Sequence, residues 1–219
     1  MTTEAHRWPI AREGWGVIAT VGMVLGLVAV VGVAAGHAAA AVPLVVGLGL
    51  TLNFFRDPAR RPPPDPHLVV SPADGRVLEV VSEQEGTFLR AAATRLSIFM
   101  SPLDVHVNRN PVSGTVELVR HTSGKFRAAF SPKASLDNER NAMVLEQGGR
   151  RYLVVQIAGA VARRIICRVG VGDVLGRGQR YGVIMFGSRV DVYLPSDVRP
   201  VVQKGARVVA GESVLGELP

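Results

Sequence analysis

The chain has little that could cross-link it, stack on bases or hold a metal. Of its 219 residues one is a cysteine, Cys167, so no internal disulfide can form. Cys167 sits in the apolar run Ile165-Ile166-Cys167 and reads as a small buried residue. No His or Cys cluster has metal-ligand spacing, so no metal is expected. Aromatic residues make up 5% of the chain and do not alternate with basic ones, which argues against a stacking platform for single strands. Between Trp15 and Phe55 charge is missing almost entirely; His37 is the sole ionisable residue there. From residue 68 onward no long amphipathic helix of soluble type appears.

Positive charge is what the chain has in excess. The formal net charge is +7 and arginine dominates the basic residues. Nucleic acid and anionic lipid compete as partners for such a chain. The uncharged segment next door favours anionic membrane lipid, and nucleic acid is not expected.

The uncharged run exceeds the ~20 residues one helix needs to cross a ~30 Å hydrocarbon layer. It divides near Gly36-His37, with Pro43 shortly after. Residues 1–57 are therefore expected to form a membrane-anchoring apolar hairpin, with helices over roughly 15–35 and 39–55. Gly22, Gly26 and Gly32 are small residues that let helices approach closely. Trp8 and Trp15 suit an interfacial belt. Arg7 and Arg12 precede the pair, and Arg56, Arg60 and Arg61 follow it. The positive-inside rule then puts both ends, and the domain that follows, on the cytoplasmic side of the cytoplasmic membrane. Whether the hairpin spans or only dips into one leaflet stays open. A cleaved signal peptide is the competing reading, but Ala38-Ala39-Ala40 is a weak cleavage site and the apolar run simply continues. Residues 58–67, rich in proline, read as a stiff extended linker.

Residues 68–219 read as mainly β. Short β-branched runs alternate with Gly, Pro and Asp, and their spacing suits a barrel or sandwich. Strands are expected at Leu68–Val70, Arg76–Val81, Thr94–Phe99, Gly114–Val119, Ala142–Gln147, Arg151–Ile157, Ile165–Val169, Tyr181–Phe186 and Val190–Leu194. A short helix is expected over Pro102–Val105. Pro72–Val77 and Pro111–Val116 share the pattern P-x-x-G-x-V, a turn whose glycine tolerates positive φ before a strand. Val201–Glu217 carries the spaced V…G…V…GE…LG pattern of lipoyl- or biotinyl-like hammerhead sandwiches, without their modified lysine, so it reports architecture only.

Gly187-Ser188 lies where one expected strand ends and another begins. A serine there can attack its own chain. Its hydroxyl adds to the Gly187 carbonyl, the peptide shifts to an ester, and elimination and hydrolysis leave a pyruvoyl group. Glycine lacks a Cβ, so the backbone can bend and be approached closely. An ordinary turn is the plain alternative for such a pair.

Six stretches now matter together: Phe54–Pro58 (FFRDP), Ser71–Gly75 (SPADG), Phe99–Arg109 (FMSPLDVHVNR), Gly124–Phe126 (GKF), Asn138–Asn141 (NERN) and Phe186–Asp191 (FGSRVD). In this order, and with the apolar N-terminus, the chain resembles the short bacterial and archaeal type of phosphatidylserine decarboxylase. The resemblance implies self-cleavage between Gly187 and Ser188 into a β chain, 1–187, and an α chain, 188–219, which stay together as a heterodimer; a higher oligomer is left open. It implies a covalent pyruvoyl group made from Ser188, and phosphatidylserine decarboxylated through a Schiff base to phosphatidylethanolamine. His106 matches the family histidine expected to move the proton, a role suited to a group titrating near neutrality. Asp74 matches the aspartate expected to support self-cleavage. Longer relatives carry a second histidine three residues after the first, where this chain has Arg109. Arginine stays protonated and is a poor base. Activation of Ser188 for self-cleavage is therefore open among His106, His121, Asp74 acting through water, and backbone strain, with His106 first. Arg109 and His121 are candidates for substrate binding. Gly124–Arg127 and Asn138–Asn141 are expected to be polar loops.

Three other readings compete. An archaetidylserine-type decarboxylase shares the headgroup chemistry. A non-catalytic membrane adaptor on a lipoyl-like sandwich lacks the long helical hairpin such adaptors carry. A serine hydrolase lacks a G-x-S-x-G elbow around Ser188.

Overall fold

The computed structural model describes residues 9–124, 138–159, 164–185 and 187–219. They form two compact units, 1–59 and 60–219.

The first unit is a pair of apolar helices, α1 (Gly14–Ala34) and α2 (Val42–Phe54), joined through a 3-10 turn at Ala38–Ala41. Glycine is what lets them meet. A Cβ on Gly32 would lie 2.2 Å from Ala40 Cβ, and one on Gly47 would lie 2.5 Å from Leu25 Cδ1. Gly22 packs on Leu48, whereas Gly26 faces open space. α1 has 21 residues, about 32 Å, with 6% of its apolar window buried, and is long and apolar enough to cross a membrane. α2 has 13 residues, about 20 Å, and is too short to do so. Trp8 and Arg7 lie outside the described residues.

The second unit is mainly β, a curled sheet closed partway into a half-barrel. The nine expected strands are present: β1 (Leu68–Val70), β2 (Gly75–Glu85), β3 (Ala91–Met100), β5 (Gly114–Thr122), β6 (Arg140–Gln147), β7 (Arg150–Ala158), β8 (Arg164–Cys167), β10 (Arg180–Met185) and β11 (Ser188–Pro195). Phe186, expected to end the strand before Gly187, lies outside the described residues. Five short strands join them: β4 (Val107–Arg109), β9 (Val174–Leu175), β12 (Arg199–Pro200), β13 (Arg207–Val208) and β14 (Val214–Glu217). The large sheet runs β13-β2-β3-β11-β7-β6-β5-β9, and two three-stranded sheets, β4-β10-β8 and β1-β14-β12, accompany it. Every pairing is antiparallel. The C-terminal hammerhead pattern thus becomes short strands: β13 pairs with β2 at the edge of the large sheet, and β14 lies between β1 and β12.

Strand β11 shows how alternation builds two faces. Val190, Val192 and Leu194 join the main core with Leu96, Ile98, Met100, Val154 and Tyr181. Arg189 and Asp191 point to the opposite face and are buried there.

Two expectations are corrected. Residues 102–105 form no helix; Ser101–Asp104 is a single turn closed by Asp104 N–H on the Ser101 carbonyl at 2.9 Å. Asp104 Oδ2 accepts from the Ser101 backbone and hydroxyl and fixes that turn before a helix can propagate. Nor is Asn138–Asn141 wholly a loop: Arg140 and Asn141 open β6, and Asn141 is buried. The loop expected over 124–127 lies, beyond Gly124, outside the described residues. The shared P-x-x-G-x-V pattern also has a sharper cause than positive φ. A Cβ on Gly75 would sit 2.1 Å from the Phe99 carbonyl oxygen, and one on Gly114 would sit 2.4 Å from that of Glu146. Glycine is needed because a neighbouring strand passes too close for any side chain.

Candidate active site

Ser188 opens β11, in the middle of the large sheet, with β3 on one side and β7 on the other. It pairs with Met100 and with Ala158 and is fully buried. The residue before it, Gly187, has φ +58, in the left-handed region where a side chain is strained. Among the described residues beyond its chain neighbours, a Cβ there would meet nothing within 4 Å. Backbone conformation, not crowding, therefore selects glycine at 187. The bend turns the chain from β10 in the small sheet into β11 in the large one.

The Ser188 hydroxyl donates to the Met100 thioether at 3.3 Å. Behind that sulfur runs a row of buried amides. Asn108 Nδ2 approaches Met100 Sδ at 3.7 Å, Gln156 Nε2 donates to Asn108 Oδ1 at 2.8 Å, and Asn141 Nδ2 donates to Gln156 Oε1 at 3.2 Å. All are essentially without solvent exposure. A buried polar group left unmatched is costly, and here each amide answers the next.

His106 lies just before β4 and is buried. Its carbonyl accepts from the Ile184 N–H, on the strand that leads to Gly187. Its Nδ1 stands 2.9 Å from the Asp104 carbonyl oxygen. A carbonyl can only accept, so Nδ1 carries the proton and the neutral ring has its lone pair on Nε2. Two residues on, Asn108 faces the sulfur that Ser188 contacts. His106 is thus linked to Ser188 through the chain to Asn108 and the Met100 sulfur, on the side where β4 pairs with β10.

Asp74 immediately precedes Gly75, at the same end of the large sheet. Its Oδ2 accepts from Arg60 Nη2 at 2.9 Å and its Oδ1 from the Ala210 N–H at 2.7 Å. Arg109 is buried; its backbone N–H donates to the Pro72 carbonyl and its Nη1 to the Gly178 carbonyl. A Cβ on Gly211 would lie 3.0 Å from Arg109 Cδ and 3.6 Å from Arg60 Cβ, so both arginines border the Ala210–Glu212 turn. His121 stands apart. It is 49% exposed, 3.8 Å from Glu139, and it pairs with Asn141 at the outer side of β6. Three strand spacings of about 4.8 Å separate its row from β11.

Met100, Asn108 and Gln156 were not singled out in the sequence, and Arg60 only as a charge flanking the apolar helices. Gln156 carried a signal: it is a lone amide in the apolar run Leu153-Val154-Val155-Gln156-Ile157. Met100 and Asn108 lie inside the FMSPLDVHVNR stretch, but nothing in their spacing marks them as neighbours of Ser188. Among the described residues no group of His, Cys, Asp or Glu could hold a metal.

A family model described as phosphatidylserine decarboxylase matches residues 48–216. A phosphatidylserine decarboxylase proenzyme of Cupriavidus metallidurans is 46% identical over 211 residues, covering 95% of each chain. Proenzymes with the same description from Pelobacter propionicus and Nocardia farcinica are 52% and 53% identical, covering 77% and 76% of this chain and 76% and 72% of their own.

Proposed function

Because the chain belongs to the phosphatidylserine decarboxylase family, we propose that it is a proenzyme that cuts itself between Gly187 and Ser188 and then converts phosphatidylserine to phosphatidylethanolamine. The observation that carries this reading is the junction itself: a left-handed glycine followed by a fully buried serine at the head of the central strand.

Self-cleavage begins when Ser188 Oγ attacks the Gly187 carbonyl carbon, its proton passing to a base. The C–N bond breaks, leaving an ester and a free amine. Loss of the Ser188 Cα proton and cleavage of the Cβ–O bond release the Gly187 carboxylate and leave an enamine. Its imine tautomer takes up water and loses ammonia, and a pyruvoyl group remains. The junction fits that group: Ser188 is fully buried, and among the described residues beyond its chain neighbours nothing lies within 4 Å of a Cβ on Gly187, which leaves room for the bond changes. The pyruvoyl ketone would bind the serine headgroup amine and draw off the electron pair left when carbon dioxide departs.

The chain's own residues do the rest. His106 Nε2 takes up a proton that the headgroup ammonium releases as its amine becomes a nucleophile, and then delivers a proton to the headgroup carbon, its orientation fixed by the Nδ1 bond to the Asp104 carbonyl. Asp74 supports self-cleavage from the same end of the large sheet. Arg109, buried and committed to the Gly178 carbonyl, braces the Ala210–Glu212 turn. His121, exposed at the outer rim, is given no step.

The two fragments, 1–187 and 188–219, remain one body. After the cut β11 is still paired with β3 and β7, and β13 and β14 with β2 and β1. α1 anchors the protein to the cytoplasmic membrane. Arg12 before the helices and Arg56, Arg60 and Arg61 after them support a cytoplasmic position for the catalytic unit, near the anionic lipid its charge favours.

Mass spectrometry of the purified full chain in detergent tests the reading. The expected result is two chains, the smaller starting at residue 188 and lighter by one ammonia than its serine form. An active protein that remains a single chain would overturn it.

A further inference from the structure

Arg60 is the first residue of the second unit and belongs to the proline-rich segment. It does not lie loose. Its side chain is 15% exposed and bridges two carboxylates, Nη2 to Asp74 Oδ2 at 2.9 Å and Nη1 to Glu212 Oε2 at 3.3 Å. The segment around it is fastened as well. The Arg61 N–H donates to Glu212 Oε1 at 3.1 Å, and Arg177 donates to the carbonyls of Pro63, Asp65 and Leu68. Pro62 seats against Gly178, where a Cβ would lie 2.4 Å from its Cγ.

Asp74 is thereby gripped from two directions, with the Ala210 N–H holding the other oxygen. A carboxylate with both oxygens engaged keeps one rotamer, and charge-assisted bonds of this kind are the strong ones. Ala210 and Glu212 lie in the future α chain, whereas Arg60 and Asp74 lie in the future β chain. The cluster thus ties the two products together one residue from Gly75, where strand β2 begins beside β3.

We infer that Arg60 is a positioning residue for self-cleavage: it fixes the Asp74 carboxylate in the place from which that group assists the reaction at Ser188. The inference rests on the self-cleaving reading above. It adds a residue to Ser188, His106 and Asp74, and it makes seating of the proline-rich segment a condition of processing.

The test follows conversion of precursor to fragments after cell-free synthesis of the full chain with lipid vesicles. Arg60→Met keeps the stem and removes the charge; Arg60→Lys keeps the charge and loses one of the two bridges. The expected order of rates is wild type, then Lys, then Met, with Met roughly 10- to 100-fold slow, the scale of a misplaced catalytic group. Glu212→Gln, which weakens the second bridge only, should process within about threefold of wild type. Decarboxylation per processed molecule should be unchanged in every variant. Melting of each substitution in the unprocessable Ser188→Ala background shows whether the fold is intact. If Arg60→Met does not fold, Arg60→Lys decides: slower than wild type supports the role, and equal to wild type overturns it. Wild-type processing by Arg60→Met, or Glu212→Gln as slow as Arg60→Met, also overturns it. A wild-type chain that is active yet never cut would defeat the self-cleaving reading instead.

Discussion

The Ser188 hydroxyl points at the sulfur of Met100, 3.3 Å away across the pairing of β11 with β3. A thioether is a weak acceptor and no base. In this precursor the hydroxyl is therefore held but not deprotonated by the sulfur, and proton removal falls to another group.

That relationship predicts a mild phenotype at Met100. Leucine keeps the volume and removes the acceptor, so Met100→Leu should cost less than about 1.5 kcal/mol of stability. Self-cleavage should slow by less than roughly tenfold, since a net hydrogen bond is worth about 0.5–1.5 kcal/mol. Time-resolved gels of precursor conversion check this. Complete loss of processing in a folded Met100→Leu protein would give the sulfur a role in the chemistry that the geometry does not predict.

His106 should matter at a different step. Its Nδ1 is tied to the Asp104 carbonyl, so Nε2 is the nitrogen that exchanges protons. His106→Ala should lower decarboxylation per processed molecule by about 100- to 10,000-fold, the usual contribution of a positioned acid or base. The measurement is carbon dioxide release from vesicle-embedded phosphatidylserine, normalised to the cleaved fraction. Turnover within twofold of wild type would remove His106 from the reaction.

Much of this architecture was legible beforehand. β-Branched runs such as Arg151–Ile157 and Tyr181–Phe186 announced strands because alternation and turn residues bound them on both sides. The Gly187–Ser188 junction was visible for the same reason. Shorter strands such as β4 and β9 were not, because two or three residues carry no period; β1, equally short, was marked only by Val69-Val70 between Pro66 and Pro72. The Ser101–Asp104 turn was misread as a helix because its decisive feature is a side-chain cap, Asp104 on Ser101, rather than a propensity. The contacts of Arg60 with Asp74 and Glu212 span 14 and 152 residues, and nothing local encodes such closures.

Arg189 and Asp191 follow the cut and face away from it. They form a buried pair, Nε to Oδ1 at 2.6 Å and Nη2 to Oδ2 at 3.0 Å, with Arg189 also donating to Ser97 Oγ at 2.7 Å. Asp191→Asn leaves a buried guanidinium short of its partner and should cost about 3–5 kcal/mol. For a chain of this size that is a fall in melting temperature of roughly 6–20 °C. Replacing the pair together, Arg189→Met with Asp191→Leu, should recover more than half of the loss, because desolvation of both charges is then avoided. Calorimetry of the Ser188→Ala background carrying these changes provides the check. Equal losses in the single and the paired replacement would show that the two residues do not act as a unit.

The chain's three tyrosines give a pH signature of the folded unit. Burial pushes Tyr152 up to about 12 and Tyr181 well above its usual value, and it also raises Tyr193, with Asp191 adding to the effect. Among the described residues the Tyr152 and Tyr181 hydroxyls have no hydrogen-bond partner, and the charge of Arg150 offsets only part of the cost of a buried phenolate at Tyr152. The folded state then holds protons that the unfolded state releases near pH 10, and stability must fall as pH rises beyond that point. At about pH 10.5, where free tyrosine is mostly ionised, the folded protein should show almost no tyrosinate absorbance, and all three phenolates should appear together with the loss of near-ultraviolet circular dichroism. Gradual ionisation of one tyrosine near pH 10, with the dichroism intact, would mean that at least one of these rings has ready access to water.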